Sequence, residues 1–266
     1  MKPSGGSKDE IRVLLARAPE IFTNEQAQKI LSIPASAVNQ KLSRWAKAGY
    51  LRRIRKGTYL QVPNYIEEPQ EWVGDEFKLA LSTWPNSYFT GWTSANHWGL
   101  TEQVFRKLVL ATSERVRTEK QSVTASRFLV KRNKKLDLTW GIVDEWRDGS
   151  KISIANPSRT VIDVMTYPEL GGGIRLGSEF LKAYLDDFDI HELVKDAEMH
   201  CSRAGIKRLG YLLELNGYSN QFEIKKLRKR ISKGIILLDP SKPPVGFRIM
   251  KWNILINTKI ETGERS

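Results

Sequence analysis

An α+β fold in two domains is what this 266-residue sequence predicts, and three observations predict it. Helical periodicity and cap signals fill the first fifty residues and run into a short, basic, β-prone hairpin. Strand-like and helical runs then follow in blocks, without the strict alternation of a parallel α/β fold. Basic residues gather in separate stretches with an acidic stretch between them. At roughly 150 residues per domain the length suits one large domain or two smaller ones. A 40% hydrophobic content is enough to bury a core.

The first domain is read over residues 1–62. Ile11, Leu14 and Leu15 share one helical face and Pro19 closes the segment, which predicts a helix over 8–17. Thr23-Asn24-Glu25-Gln26 reads as a capping box ahead of Ala27, Ile30 and Leu31. Ser32-Ile33-Pro34 interrupts that helix, because proline cannot continue it but can sit in the turn before the next. Val38, Leu42, Trp45 and Ala46 form the apolar face of a third helix over 35–48, and Gly49 is a natural stop. Residues 50–54 and 58–62 are β-prone around Arg55-Lys56-Gly57, where glycine supplies the permissive backbone of a hairpin turn. Two short helices joined by a tight turn, followed by a basic hairpin, are the parts of a winged helix-turn-helix.

The outer side of the third helix offers Ser36, Asn39, Gln40, Ser43, Arg44 and Lys47. Asparagine and glutamine pair bidentately with adenine and arginine with guanine, so these are side chains able to read bases. Arg52, Arg53, Arg55 and Lys56 of the hairpin are placed to hold phosphate or a minor groove. The competing reading is a helix-turn-helix module used only for protein contact or assembly, with its polar face solvated.

Pro63 to Pro69 is acidic and proline-flanked, and residues 63–70 read as a linker. The second domain is then 71–266. Its expected elements are a helix over 71–83, a short helix at 94–98, strands at 107–111 and 126–131, and a hairpin of 138–146 with 151–155 across Asp148-Gly149. Asn156-Pro157 caps a helix that carries Val161, Ile162 and Met165 inward. Further helices are expected at 176–186, 189–204 and 205–215, with a basic segment at 220–232 and closing strands at 235–238 and 247–257.

Forty-three lysines and arginines against 30 aspartates and glutamates leave a formal charge of +13. Residues 1–62 hold twelve basic and four acidic side chains, and residues 136–202 hold six and thirteen. That excess points to a polyanionic partner, double-stranded DNA first. No run of about 20 apolar residues exists to form a membrane span, and the N-terminal MKPSGGSKDE has no apolar signal core, so a cytoplasmic protein is expected. The single cysteine, Cys201, and three histidines do not make a structural zinc site, which needs four ligands at paired spacings. No cofactor, metal or catalytic residue is expected.

Several motifs then add a resemblance. They are the winged module ending in Arg55-Lys56-Gly57-Thr58-Tyr59, Gly91-Trp92-Thr93-Ser94-Ala95 with His97-Trp98-Gly99-Leu100, and Pro157-Ser158-Arg159-Thr160-Val161-Ile162-Asp163 with Gly171-Gly172-Gly173. Lys207-Arg208-Leu209-Gly210-Tyr211-Leu212-Leu213-Glu214 completes the set. In order and spacing they resemble the AbiEi family of type IV toxin–antitoxin antitoxins. The resemblance implies a transcriptional autorepressor that binds repeats upstream of its own operon through the winged domain. It also implies a C-terminal domain that counters a cognate nucleotidyltransferase toxin in phage-induced abortive infection. In that family neutralisation is generally described as needing no stable complex, though some relatives bind their toxin.

A second basic surface is expected from the run Lys225, Lys226, Arg228, Lys229 and Arg230 together with Arg127, Lys131, Arg132, Lys134 and Lys135, extending the contact with DNA. Arg203, Lys207 and Arg208 are expected on the outer face of a helix whose leucines point inward, and the resemblance favours contact with phosphate or RNA there. Arg159 and Asp163, at i and i+4, are expected to pair. One enzymatic reading competes: Gly177-Ser178 followed by Asp187-Phe188-Asp189 echoes the Gly-Ser…Asp-x-Asp pattern of nucleotidyltransferases. Its context is wrong, because 178–186 reads as an amphipathic helix and Asp187 and Asp189 as loop and N-cap.

Overall fold

The computed structural model describes residues 5–69, 71–116, 127–134, 136–147, 149–218 and 222–260. Lys135 and Asp148 lie outside them, as do the first residues, 126 and 220–221, of two expected elements. The fold is α+β, in two compact units: residues 1–86 with 118–127, and residues 87–117 with 128–266.

The first unit runs α1 (Gly5–Arg17), β1 (Ile21–Thr23), α2 (Asn24–Leu31), α3 (Ala35–Lys47), β2 (Leu51–Arg55), β3 (Thr58–Gln61) and α4 (Glu76–Thr83). Both halves of the capping box form, with Gln26 N donating to Thr23 Oγ1 and Thr23 N to Gln26 Oε1. The reciprocal pair satisfies two amides that the helix itself leaves unpaired. Ser32 ends α2 in the left-handed conformation and Pro34 starts α3. Gly57, at φ +78°, lets the β2–β3 hairpin turn. Strand β1 adds to that hairpin in the order β1-β3-β2, and Phe22 stacks on Tyr59. Beneath the sheet Ile11, Leu14, Ala27, Val38, Leu42, Trp45 and Leu51 close one core.

Residues 63–69 and 71–86 belong to this unit. The indole of Trp72 donates to the Gln61 carbonyl at 3.1 Å, and Glu20 accepts from the Asp75 amide at 3.3 Å. Val73 and Trp84 are buried. Helix α4 begins at 76, later than expected, because Asp75 caps it by accepting from Phe77 N and Lys78 N.

The second unit has a five-stranded mixed sheet in the order β6-β5-β4-β8-β7. Its strands are β4 (Ser87–Phe89), β5 (Leu108–Thr112), β6 (Phe128–Arg132), β7 (Ile142–Arg147) and β8 (Ser150–Ala155), with α5 (Gly91–His97) after β4. Five α-helices follow among the described residues: α6 (Pro157–Thr166), α7 (Ile174–Asp187), α8 (Ile190–His200), α9 (Arg203–Leu215) and α10 (Phe222–Lys229). A small sheet of β9 (Ile236–Leu237), β10 (Phe247–Ile249) and β11 (Ile254–Ile256) closes the unit in the order β10-β11-β9. Helices α6 and α9 occupy the middle of the core, where residues 205–213 of α9 are all buried. A helix enclosed on all sides has no outer face for its polar residues.

Candidate nucleic-acid interface

Val38, Leu42 and Trp45 are wholly buried, which fixes the rotation of α3 about its axis. The opposite side then faces solvent, and Ser36, Asn39, Gln40, Ser43, Arg44 and Lys47 are all exposed on it. Two contacts tie this helix to its surroundings. Lys41 pairs with Glu10 of α1, and the Asn24 side-chain amide donates to Asn39 Oδ1. The Asn24 backbone amide donates in turn to the Gly57 carbonyl at 3.0 Å, so the first residue of α2 touches both the exposed helix and the hairpin tip.

The four hairpin cations do not share one role. Arg53 and Lys56 are exposed and make no ion pair among the described residues. Arg55 is exposed as well, but its guanidinium donates to Thr58 Oγ1 and to the Thr83 carbonyl, each at 3.3 Å. Arg52 is half-buried and donates to the Trp72 carbonyl. Burial, then the charge of Arg127, lowers its pKa. It is therefore a fastening for residues 63–86 and not the free wing cation expected of it. The register separates the neighbours: Arg52 stands opposite Leu60 and Arg53 opposite Tyr59, on the two faces of the hairpin, and an irregularity between Arg53 and Arg55 sets Arg55 opposite Thr58.

The expected second basic surface divides further. Arg132, Lys134 and Lys225 are exposed. Arg127, in the first unit, pairs with Glu76 at 2.6 Å. Lys131 pairs with Glu169 at 2.6 Å and lies over the Tyr167 ring, Lys226 lies over Phe222, and Arg203 donates to the Arg230 carbonyl at 2.6 Å. Lys207 and Arg208 are not on a surface at all, being 0% and 5% exposed. Lys207 donates to the Gly234 carbonyl. Arg208 donates to the carbonyls of Met165 (2.9 Å), Leu238 (3.0 Å), Leu237 (3.2 Å) and Thr166 (3.4 Å). Burial lowers the pKa of both. Arg208 sits at the last turn of α6, where a cation is favoured by the unpaired carbonyls.

Other residues singled out in the sequence are packing elements. Gly210 leaves room for the Trp252 ring, whose indole donates to Glu214 at 2.8 Å. Gly91 admits the Leu170 carbonyl, so the glycines of these motifs mark close approaches. Asp163 accepts from Tyr88 at 2.8 Å and Thr90 at 2.7 Å, with Arg159 Nε at 3.8 Å; burial raises its pKa. Asp187 ends α7, and Asp189 caps α8 by accepting from the His191 amide at 2.8 Å. Sequence reasoning missed the Tyr88 and Thr90 partners, because the three-residue strand β4 carries no periodic signal of its own.

Residues 9–60 match the model of a family described as transcriptional regulator, AbiEi antitoxin. No curated protein matches the chain. Among solved structures, the crystal structure of the RV2827C protein from Mycobacterium tuberculosis is similar, at 12% identity and a TM-score of 0.63. The likeness covers 96% of this chain and 92% of that one, and it shows the fold alone. The family match falls on the leading module and supports the resemblance read from the sequence: residues 9–60 are similar to the AbiEi antitoxin transcriptional regulators.

Proposed function

We propose that this protein is the antitoxin and autorepressor of a type IV toxin–antitoxin pair, acting in the cytoplasm on repeats upstream of its own operon. Helix α3 enters the major groove, with Asn39, Gln40 and Arg44 reading base edges, while Arg53 and Lys56 of the hairpin hold the adjacent backbone. The exposed polar face of α3, set by the burial of Val38, Leu42 and Trp45 on the other side, is the observation that carries this reading. The larger unit counters a cognate nucleotidyltransferase toxin, and the protein has no catalysis of its own. No helix among the described residues is long and apolar enough to cross a membrane.

Fluorescence anisotropy with duplex from upstream of the gene, over a salt series, tests the proposal. Log affinity should fall linearly with log salt at about −0.9 per phosphate neutralised, and Arg44→Ala should blunt the preference over scrambled duplex. A flat salt response, or equal affinity for both duplexes, would overturn it.

A further inference from the structure

The outermost strand of the C-terminal sheet and its flanks gather three large, exposed apolar side chains. Strand β10 pairs with β11 on one side only, and every residue from Ser241 to Arg248 is exposed. Val245, Phe247 and Met250 are 76%, 63% and 68% exposed, although side chains of this kind are normally withdrawn from water. Phe247 stands opposite Ile256 on β11. Phe247 and Ile256, with Tyr211 of α9, Lys259 and Ile260, line a groove of about 470 Å³ that Phe247 borders from β10.

Charge narrows what can lie there. From Ser241 to Ile260 the sequence has no acidic residue and four cations. Lys251 is neutralised by Glu214, which leaves Lys242, Arg248 and Lys259 without an ion pair among the described residues. A second copy of this chain would set Arg248 against the same cations of its twin. A nucleic acid would satisfy the cations but leave Val245 and Phe247 in water. The matching partner supplies apolar side chains and carboxylates together.

We propose that β10 and its groove bind an extended segment of another protein that alternates apolar and acidic residues, added as a further strand. Alternation follows from the pleat: Phe247 faces the Ile256 side and Arg248 the other, so an incoming strand meets an apolar surface and a cation in turn. Main-chain hydrogen bonds along the open edge provide affinity, and the groove selects side chains. Pro243, Pro244 and the cations guard the same edge against indiscriminate pairing. The inference does not rest on DNA binding by the first unit.

The test titrates the isotope-labelled full chain with three synthetic peptides of seven residues, alternating glutamate with valine, lysine with valine, and glycine with serine. The glutamate–valine peptide should shift the amide resonances of residues 245–260, and Phe247→Ser and Arg248→Glu should each weaken it at least ten-fold. Arg248→Glu should also shift preference toward the lysine–valine peptide. Circular dichroism checks that both variants fold, and Val245→Ser replaces either that does not. No shift at millimolar peptide, equal response to the two charged peptides, displacement by duplex DNA, or self-association abolished by Phe247→Ser would each overturn the proposal. Because the variants lie in the second unit, DNA affinity measured in parallel separates this outcome from failure of the repressor reading.

Discussion

The side-chain amide of Asn24, the first residue of α2, donates to Oδ1 of Asn39 in the middle of α3. On the proposed reading, one end of the Asn39 amide is thereby held in advance, which would lower the ordering cost of a base contact. Asn24→Ala should weaken binding to the preferred duplex by about 0.5–1.5 kcal/mol. In a double-mutant cycle with Asn39→Ala the two effects should be strongly non-additive. Strict additivity would show that Asn24 does not act through Asn39.

Adjacent arginines on β2 should behave differently. Arg53→Ala removes an exposed cation and should reduce the salt slope of DNA binding by about 0.9, with the melting temperature unchanged. Arg52→Ala removes a donor from the Trp72 carbonyl and should lower the melting temperature at a constant salt slope. Anisotropy and calorimetry on the two variants would expose any exchange of roles.

Arg208 is a structural cation. Replacing it with methionine leaves the carbonyls of Leu238, Leu237, Met165 and Thr166 without their donor, at a cost of about 3 kcal/mol in urea unfolding. Arg208→Lys should recover only part of this, because a single ammonium cannot span a forked site. A surface phosphate contact would instead leave stability untouched.

Burial pushes the Cys201 thiol up from 9.0 to about 12, against the Thr166 hydroxyl at 3.7 Å. The native state therefore holds this proton more tightly than the unfolded chain does. The resulting stabilisation is complete below about pH 9 and is lost as pH rises toward 12. At pH 8 iodoacetamide should alkylate native Cys201 on the order of 10³-fold more slowly than the urea-unfolded chain, as the thiolate fractions dictate. Mass spectrometry of timed aliquots gives both rates.

Gly210→Ala would place a methyl group 2.1 Å from the Trp252 ring. Overpacking of this kind costs about 1–3 kcal/mol, and the urea midpoint should fall accordingly while DNA affinity at low denaturant is retained.

The leading module was legible because its signals are local: Thr23 and Gln26 form a cap within four residues, and Val38, Leu42 and Trp45 name their own face. The placing of residues 63–69 and 71–86 was not, since 63–70 reads as a linker with a new domain from 71, and nothing local shows that Trp72 will accept from Arg52 and donate to Gln61. Lys207 and Arg208 failed for a related reason. Periodicity assigns polar residues of a helix to water, whereas α9 is enclosed and the partners of its cations lie about 27 to 43 positions away in sequence. Of the candidate site, the face of α3 was readable, and the division between Arg52 and Arg53 was not, because it depends on which face of β2 the following segment covers.

One contact has a mechanical consequence. With the Asn24 amide fastened to the Gly57 carbonyl, moving the hairpin tip away from α2 costs that hydrogen bond, about 0.5–1.5 kcal/mol. If the module seats on a duplex as proposed, a helix and hairpin coupled in this way favour one groove width, and part of the adjustment falls on the duplex. The energy of that distortion varies with base composition, and operators with pliable pyrimidine–purine steps would be favoured even at positions no side chain reaches.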